Sequence, residues 1–191
     1  GKGPRPRPHT HTTPKPLLKV GGRPVISYIL DDLIEVGVRE VVFIVGYLGD
    51  VIRDHIASEY PQLRGHYVVQ EVQDGTAGSI KLAEPWANEE LLIVFVDTLF
   101  DADLTLVKRV EESAAGVIWA KEVEDYYRYG VILTDQDGHM ERIIEKPSEP
   151  VSKLANIGLY YIRDHALLFD GVRHTMSRDP GKAGEFYLDF F

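Results

Sequence analysis

Between residues 24 and 96, short β-branched runs alternate with helix-patterned segments, and this alternation restricts the possible folds more than any other feature of the chain. PVISYILDDLIEVG (24–37) puts Ile26, Ile29, Leu30, Leu33 and Ile34 on one helical face, with Pro24 suited to a first turn and Gly37 to a C-terminal stop. VVFIV (41–45) is a continuous apolar run, as expected of a strand covered on both faces. DVIRDHIASEY (50–60) reads as a second helix, HYVVQ (66–70) as a strand, GSIKLAEPW (78–86) as a short helix and LLIVFV (91–96) as the most apolar strand. Helix and strand in alternation predict an α/β domain with a largely parallel sheet. After residue 115 the rhythm changes. GVIWAKEV, YGVILTDQDGHMERIIEK and ANIGLYYI are all strand-like, and the D-Q-D-G turn in the second predicts a hairpin-rich β segment covering one edge of the sheet. No linker separates the parts, which predicts one shared core.

Composition excludes several functions. The 191 residues carry 21 Lys and Arg against 30 Asp and Glu, a formal charge of −9, which opposes a general nucleic-acid or membrane-surface role. Yet Lys2, Arg5, Arg7, Lys15, Lys19 and Arg23 fall in an opening stretch without one acid. A locally cationic segment in an acidic chain suits a small, multiply charged ligand. There is no cysteine, so disulfides and thiolate metal sites are excluded. No apolar run approaches the roughly 20 residues that span a bilayer, and a cytoplasmic setting is expected.

Four segments carry residue types with chemical uses. The opening GKGPRPRP combines glycines, which let backbone N–H groups approach phosphate oxygens, with flanking cations; a Pro/Arg-rich tail is the alternative. Asp97 directly follows the most apolar strand, at the edge where open α/β sheets bind ligands, while Asp101 or Asp103 is placed to cap the next helix. In QEVQDGTAGS (70–79), the amide of Gln70 can both donate to and accept from a nucleobase edge, though a plain β-to-α connection fits equally. In IIEKPSEPVSKLANIGLYYI (143–162), Pro147 stops the ladder and leaves Glu145 and Lys146 at a rim, as a ligand site or a surface ion pair. The seven histidines show no metal-binding spacing.

Taken in order, G-x-G-x-R-x-R-P, P-K-P-L-L, a Gln before G-T-A-G, an apolar strand ending in D-T-L-F, Y-G-V, E-K-P and A-N-x-G-L-Y resemble the sugar-1-phosphate nucleotidyltransferase family, from residue 1 to about 188. Its members include glucose-1-phosphate thymidylyltransferases and uridylyltransferases and mannose-1-phosphate guanylyltransferases. The resemblance implies a Rossmann-like α/β fold, a mostly parallel mixed sheet flanked by helices, with a β-hairpin-rich sugar-binding segment. It further implies a single domain over 1–191, with a nucleotide-binding half at 1–114 and an incomplete sugar-binding half at 115–191. Arg5 and Lys15 are then the residues that contact nucleotide phosphates, in or near the loop of Gly1 and Gly3. Gln70, with Gly75 and Thr76, recognises the base. Asp97 binds Mg²⁺, and with Arg5 and Lys15 it forms the catalytic set. Glu145, Lys146 and Asn156, with the Gly130 backbone, hold the sugar phosphate.

The implied reaction joins a hexose 1-phosphate, glucose 1-phosphate first, to UTP or dTTP and releases pyrophosphate. The partners are these two small molecules, with no nucleic acid or membrane, and homo-oligomer formation stays open. The attacking phosphate monoester, with a second pKa of about 6, is already a dianion and needs no general base. The burden falls on cations that hold two polyanions in line. Pro4 and Pro6 stand where the family has Thr and Leu, each removing a backbone donor from the loop. The family's apolar strand before the first glycine and its later Asp-bearing strand are expected beyond Gly1 and Leu188, so the sequence reads as truncated at both ends. A non-catalytic sugar-nucleotide-binding module of the same fold is the competing reading.

Overall fold

A computed structural model describes residues 13–178, which form two compact units, 13–73 with Val96–Leu106 and Asp74–Phe95 with 107–178. In the first unit a single 3₁₀ turn, Lys15–Leu17, leads into two short antiparallel strands, β1 (Lys19–Val20) and β2 (Arg23–Pro24). Helix α1 (Val25–Glu35) follows Pro24 at once and buries Ile26, Ile29, Leu30 and Leu33, the face expected from their spacing. Strand β3 (Glu40–Val45), helix α2 (Gly49–Glu59) and strand β4 (Arg64–Val69) make a βαβ unit, with β3 and β4 parallel from Glu40↔Arg64 to Val45↔Val69. Phe43 stacks on Tyr67 at 5.0 Å, while the buried Tyr60 donates its hydroxyl to the Ser27 carbonyl at 3.2 Å and so ties the end of α2 to α1.

The second unit opens with α3 (Thr76–Lys81) and β5 (Leu91–Val94). Four further strands follow, β6 (Gly116–Glu122), β7 (Gly130–Thr134), β8 (Met140–Glu145) and β9 (Leu154–Ile162), and then α4 (His165–Met176). The long strand β9 is central to a five-stranded sheet. Along one flank it pairs with β6; along the other it pairs with β5 over Leu159–Ile162 and with β7 at Ala155. The partner changes at Ile157–Gly158, where β9 kinks: Ile118 faces Tyr160, but Ala120 already faces Asn156. Helices α3 and α4 cover this sheet through Ile80, Leu168, Phe169 and Val172, which bury Tyr160 and Ile162 beneath them. Asp164 caps α4 by accepting the Leu167 N–H at 2.9 Å.

Gly158 makes the kink possible. Its φ is +74°, and a Cβ there would lie 2.7 Å from the Phe95 ring. Gly158→Ala is therefore expected to cost about 1–3 kcal/mol, the left-handed strain plus displacement of Phe95. A thermal melt coinciding with the parent's would sink that account.

The α/β composition and nearly all element positions agree with the sequence, but four points are corrected. Among the described strands only β3 and β4 pair in parallel; every ladder of β9 is antiparallel, and so is β7 with β8. An apolar run records that a strand is covered, not which way its neighbour runs, so the sheet is not mostly parallel as described. The later strands do not cover an edge, since β9 is the centre of its sheet. The helix expected over 78–86 ends at Lys81 and resumes as a 3₁₀ turn at Glu84–Trp86, because Pro85 cannot continue α-helical hydrogen bonding. The apolar strand is paired only over Leu91–Val94, leaving Asp97 in the turn beyond it. By contacts β5 belongs with β9 in the second unit. Among the described residues no helix is long and apolar enough to cross a membrane.

Candidate active site

The expected site residues fall in both units. Gly1, Gly3 and Arg5 lie outside the described residues, as do Pro4 and Pro6. In the first unit Lys15 opens the 3₁₀ turn after the buried Pro14, with its side chain exposed. Gln70 follows β4, its N–H donating to the Val45 carbonyl at 2.8 Å, so the parallel ladder aims its half-buried side chain from the carboxyl end of the strand. Asp97 is exposed, and among the described residues its carboxylate has one long contact, from Thr98 Oγ1 at 3.5 Å. The cap expected near Asp101 or Asp103 is Asp103, which accepts the Thr105 N–H at 2.9 Å.

In the second unit Gly75, at φ +95°, turns the chain into α3, whose first residue is Thr76. The four residues expected for the sugar phosphate are brought together. Gly130 on β7 pairs with Glu145 on β8, and since Val131 pairs with Ala155, one register step sets Asn156 of β9 on its other side. Directly opposed residues on neighbouring strands share a face, so Glu145, Gly130 and Asn156 form a row across three strands, roughly 10 Å from end to end. Gly130 leaves the middle open; a Cβ there would lie 2.9 Å from Glu145 Oε2. Lys146 adds the cation, 3.3 Å from Glu145 Oε1. Its φ of +44° is unusual for a residue with a Cβ and more so before proline, and its N–H donates to the Tyr129 carbonyl at 2.9 Å. Backbone strain held at a rim beside convergent polar groups is characteristic of ligand sites.

Two features were not legible in the sequence. Tyr160, almost wholly buried, takes a hydrogen bond from Asn156 Nδ2 at 2.5 Å. Burial pushes its phenol pKa up; the Asn156 bond opposes this and the Glu145 charge reinforces it. Residues four apart in a straight strand stand about 13 Å apart, so only the kink at Gly158 lets these two meet. The A-N-x-G-L-Y motif itself, with its glycine between them, was the available signal. The second feature is the β7–β8 hairpin turn, where ligand atoms of Asp135, Asp137 and His139 lie within 4.8 Å of one another. Asp135 Oδ1 there accepts the N–H groups of His139 and Asp137 at 2.8 and 3.0 Å, and these bonds hold its carboxyl below the usual range. The trio is the only such grouping among the described residues, and Asp97 is not in it.

The described residues thus give a parallel βαβ unit with a polar amide at its carboxyl end, and an antiparallel sheet bearing an acid, an amide and a lysine around an open glycine. The chain belongs to the nucleotidyl transferase family, whose model matches residues 1–183. It is 35% identical over 164 residues to the UTP–glucose-1-phosphate uridylyltransferase AglF of Haloferax volcanii, covering 84% of this chain and 68% of that protein. It is 34% identical over 185 residues to a mannose-1-phosphate guanyltransferase of Candida albicans, covering 92% and 51%. In structure it is similar to apo-UDP-glucose pyrophosphorylase, with a TM-score of 0.81 at 21% identity, over 94% of this chain and 78% of that one. The chain thus carries the fold of an enzyme class, the sugar-1-phosphate nucleotidyltransferases. It spans about half the length of several relatives it matches, 43%, 47% and 51% of three of them.

Proposed function

We propose that this protein transfers a nucleotidyl group from a nucleoside triphosphate to a hexose 1-phosphate, with release of pyrophosphate, and that glucose 1-phosphate with UTP or dTTP is the preferred pair. The observation that carries the reading is the row Glu145, Gly130 and Asn156 with Lys146 beside it. An acceptor-only carboxylate and a donor-and-acceptor amide suit sugar hydroxyls on either side of an uncovered glycine, and the lysine suits the phosphate. On the nucleotide side, Lys15 meets phosphate and Gln70 meets the base. Uracil and thymine present the same amide-pairing edge, so Gln70 serves either.

Asp97 fits a divalent cation: its carboxylate is exposed and nearly uncommitted, and Mg²⁺ is commonly held by one or two carboxylates together with substrate phosphates. The ion would supply charge neutralisation at the nucleotide phosphates. The test is pyrophosphate release with glucose 1-phosphate, mannose 1-phosphate or N-acetylglucosamine 1-phosphate, each paired with the common nucleoside triphosphates. Release with glucose 1-phosphate and UTP or dTTP above the others is expected. A preference for mannose 1-phosphate with GTP would overturn the substrate assignment, and no release from any pair would overturn the activity.

Lys146→Ala should raise KM for the hexose 1-phosphate roughly tenfold to a hundredfold, the worth of a charged hydrogen bond. KM for the nucleotide should stay within about a factor of two, because Lys146 pairs with Glu145 in the sugar row. Alanine keeps the Cβ, so the left-handed backbone is no worse off than in the parent. A larger rise in the nucleotide KM would contradict this division of labour.

A further inference from the structure

Asn156 is held at both ends by its own strand. Its Oδ1 accepts the Gly158 N–H at 3.0 Å, and its Nδ2 donates to the Tyr160 hydroxyl at 2.5 Å. An amide fixed in this way has one N–H and one oxygen lone pair left for a ligand, and the two cannot exchange places by rotation. The Tyr160 ring is anchored independently of the site. It packs with Ile80, Ile162, Leu168, Phe169 and Val172, and Phe95 meets it edge-on at 5.8 Å. The hydroxyl lies against Asn156, and the Glu145 charge helps to raise its pKa. Nδ2 supplies the proton of the Asn156 bond, so the Tyr160 hydroxyl is the acceptor there.

We propose that Tyr160 is a positioning residue for sugar recognition: through a ring locked in the core beneath α3 and α4, its hydroxyl fixes the Asn156 amide in the row with Gly130 and Glu145. The ligand chemistry it serves is a polyhydroxylated ring lying over Gly130, with hydroxyls donating to Glu145 and exchanging donor and acceptor with Asn156. Tyr160 itself touches no reacting atom. The inference rests on the sugar-phosphate reading of that row.

The experiment is a double-mutant cycle on the full chain, using glucose 1-phosphate and UTP or dTTP. Tyr160→Phe keeps the ring and its packing and removes only the hydroxyl. It is expected to raise KM for glucose 1-phosphate about fivefold to tenfold, the worth of one hydrogen bond, with kcat and the nucleotide KM within about twofold. In an Asn156→Ala background the same substitution should change nothing further, because the two act as a unit. Additive losses, or an unchanged glucose 1-phosphate KM in Tyr160→Phe, overturn the proposal. In the parent protein, Nδ2 protons of Asn156 that exchange slowly by NMR support it, and solvent-like exchange overturns it, whether or not the Phe variant folds. A parent that turns over no substrate pair would refute the functional reading and leave this NMR result standing as the test of the Tyr160–Asn156 link.

Discussion

Asp97→Asn is expected to lower Mg²⁺-dependent turnover by roughly two to three orders of magnitude while leaving the fold intact, since several kcal/mol of charge stabilisation depend on holding the cation. The amide keeps the shape of the side chain and loses its charge, and an amide oxygen is a far weaker partner for a divalent cation beside polyphosphate. Asp97 is exposed in a turn, with a single long contact among the described residues, from Thr98, so a change there should move stability by no more than about 0.5 kcal/mol. The pairing of a large kinetic effect with a silent melt is the signature sought. Pyrophosphate release measured against Mg²⁺ concentration checks it, and a variant keeping most of the parent rate would remove Asp97 from the site.

Leu168→Ala should have the largest effect on stability. Leu168 is 1% exposed on α4 and shares one cluster with Ile80, Tyr160, Ile162, Phe169 and Val172. Truncating a buried leucine costs about 2–5 kcal/mol, from lost transfer free energy and the cavity left behind. At roughly 2–4 °C per kcal/mol for a chain of this size, the melting temperature should fall by about 5–15 °C. Leu167, next along the same helix, is 55% exposed, and its replacement by Ala should cost less than about 0.5 kcal/mol. Calorimetric melts of both variants decide the matter, and equal shifts would contradict the assigned core.

The local elements were legible because their causes are local. The apolar spacing of α1, the run of β3, the Asp103 cap and the D-Q-D-G hairpin each depend on a few neighbouring residues, and each is found where the sequence put it. Pro85 is equally visible, and it ends the helix that the apolar pattern alone extends to residue 86. The grouping of Glu145, Lys146, Gly130 and Asn156 was expected only through family resemblance; nothing in their spacing says that 130, 145 and 156 share a row. Register does, and register is set by how β7, β8 and β9 pair.

What the sequence by itself determined is the set of elements, the family, and the residue types at each candidate position, since hydrophobic period, turn chemistry and motif order are written in adjacent residues. The tertiary structure alone decided strand direction, the central place of β9 and the meeting of Asn156 with Tyr160. The last depends on a left-handed glycine that kinks β9, and all three rest on packing between segments far apart in the chain.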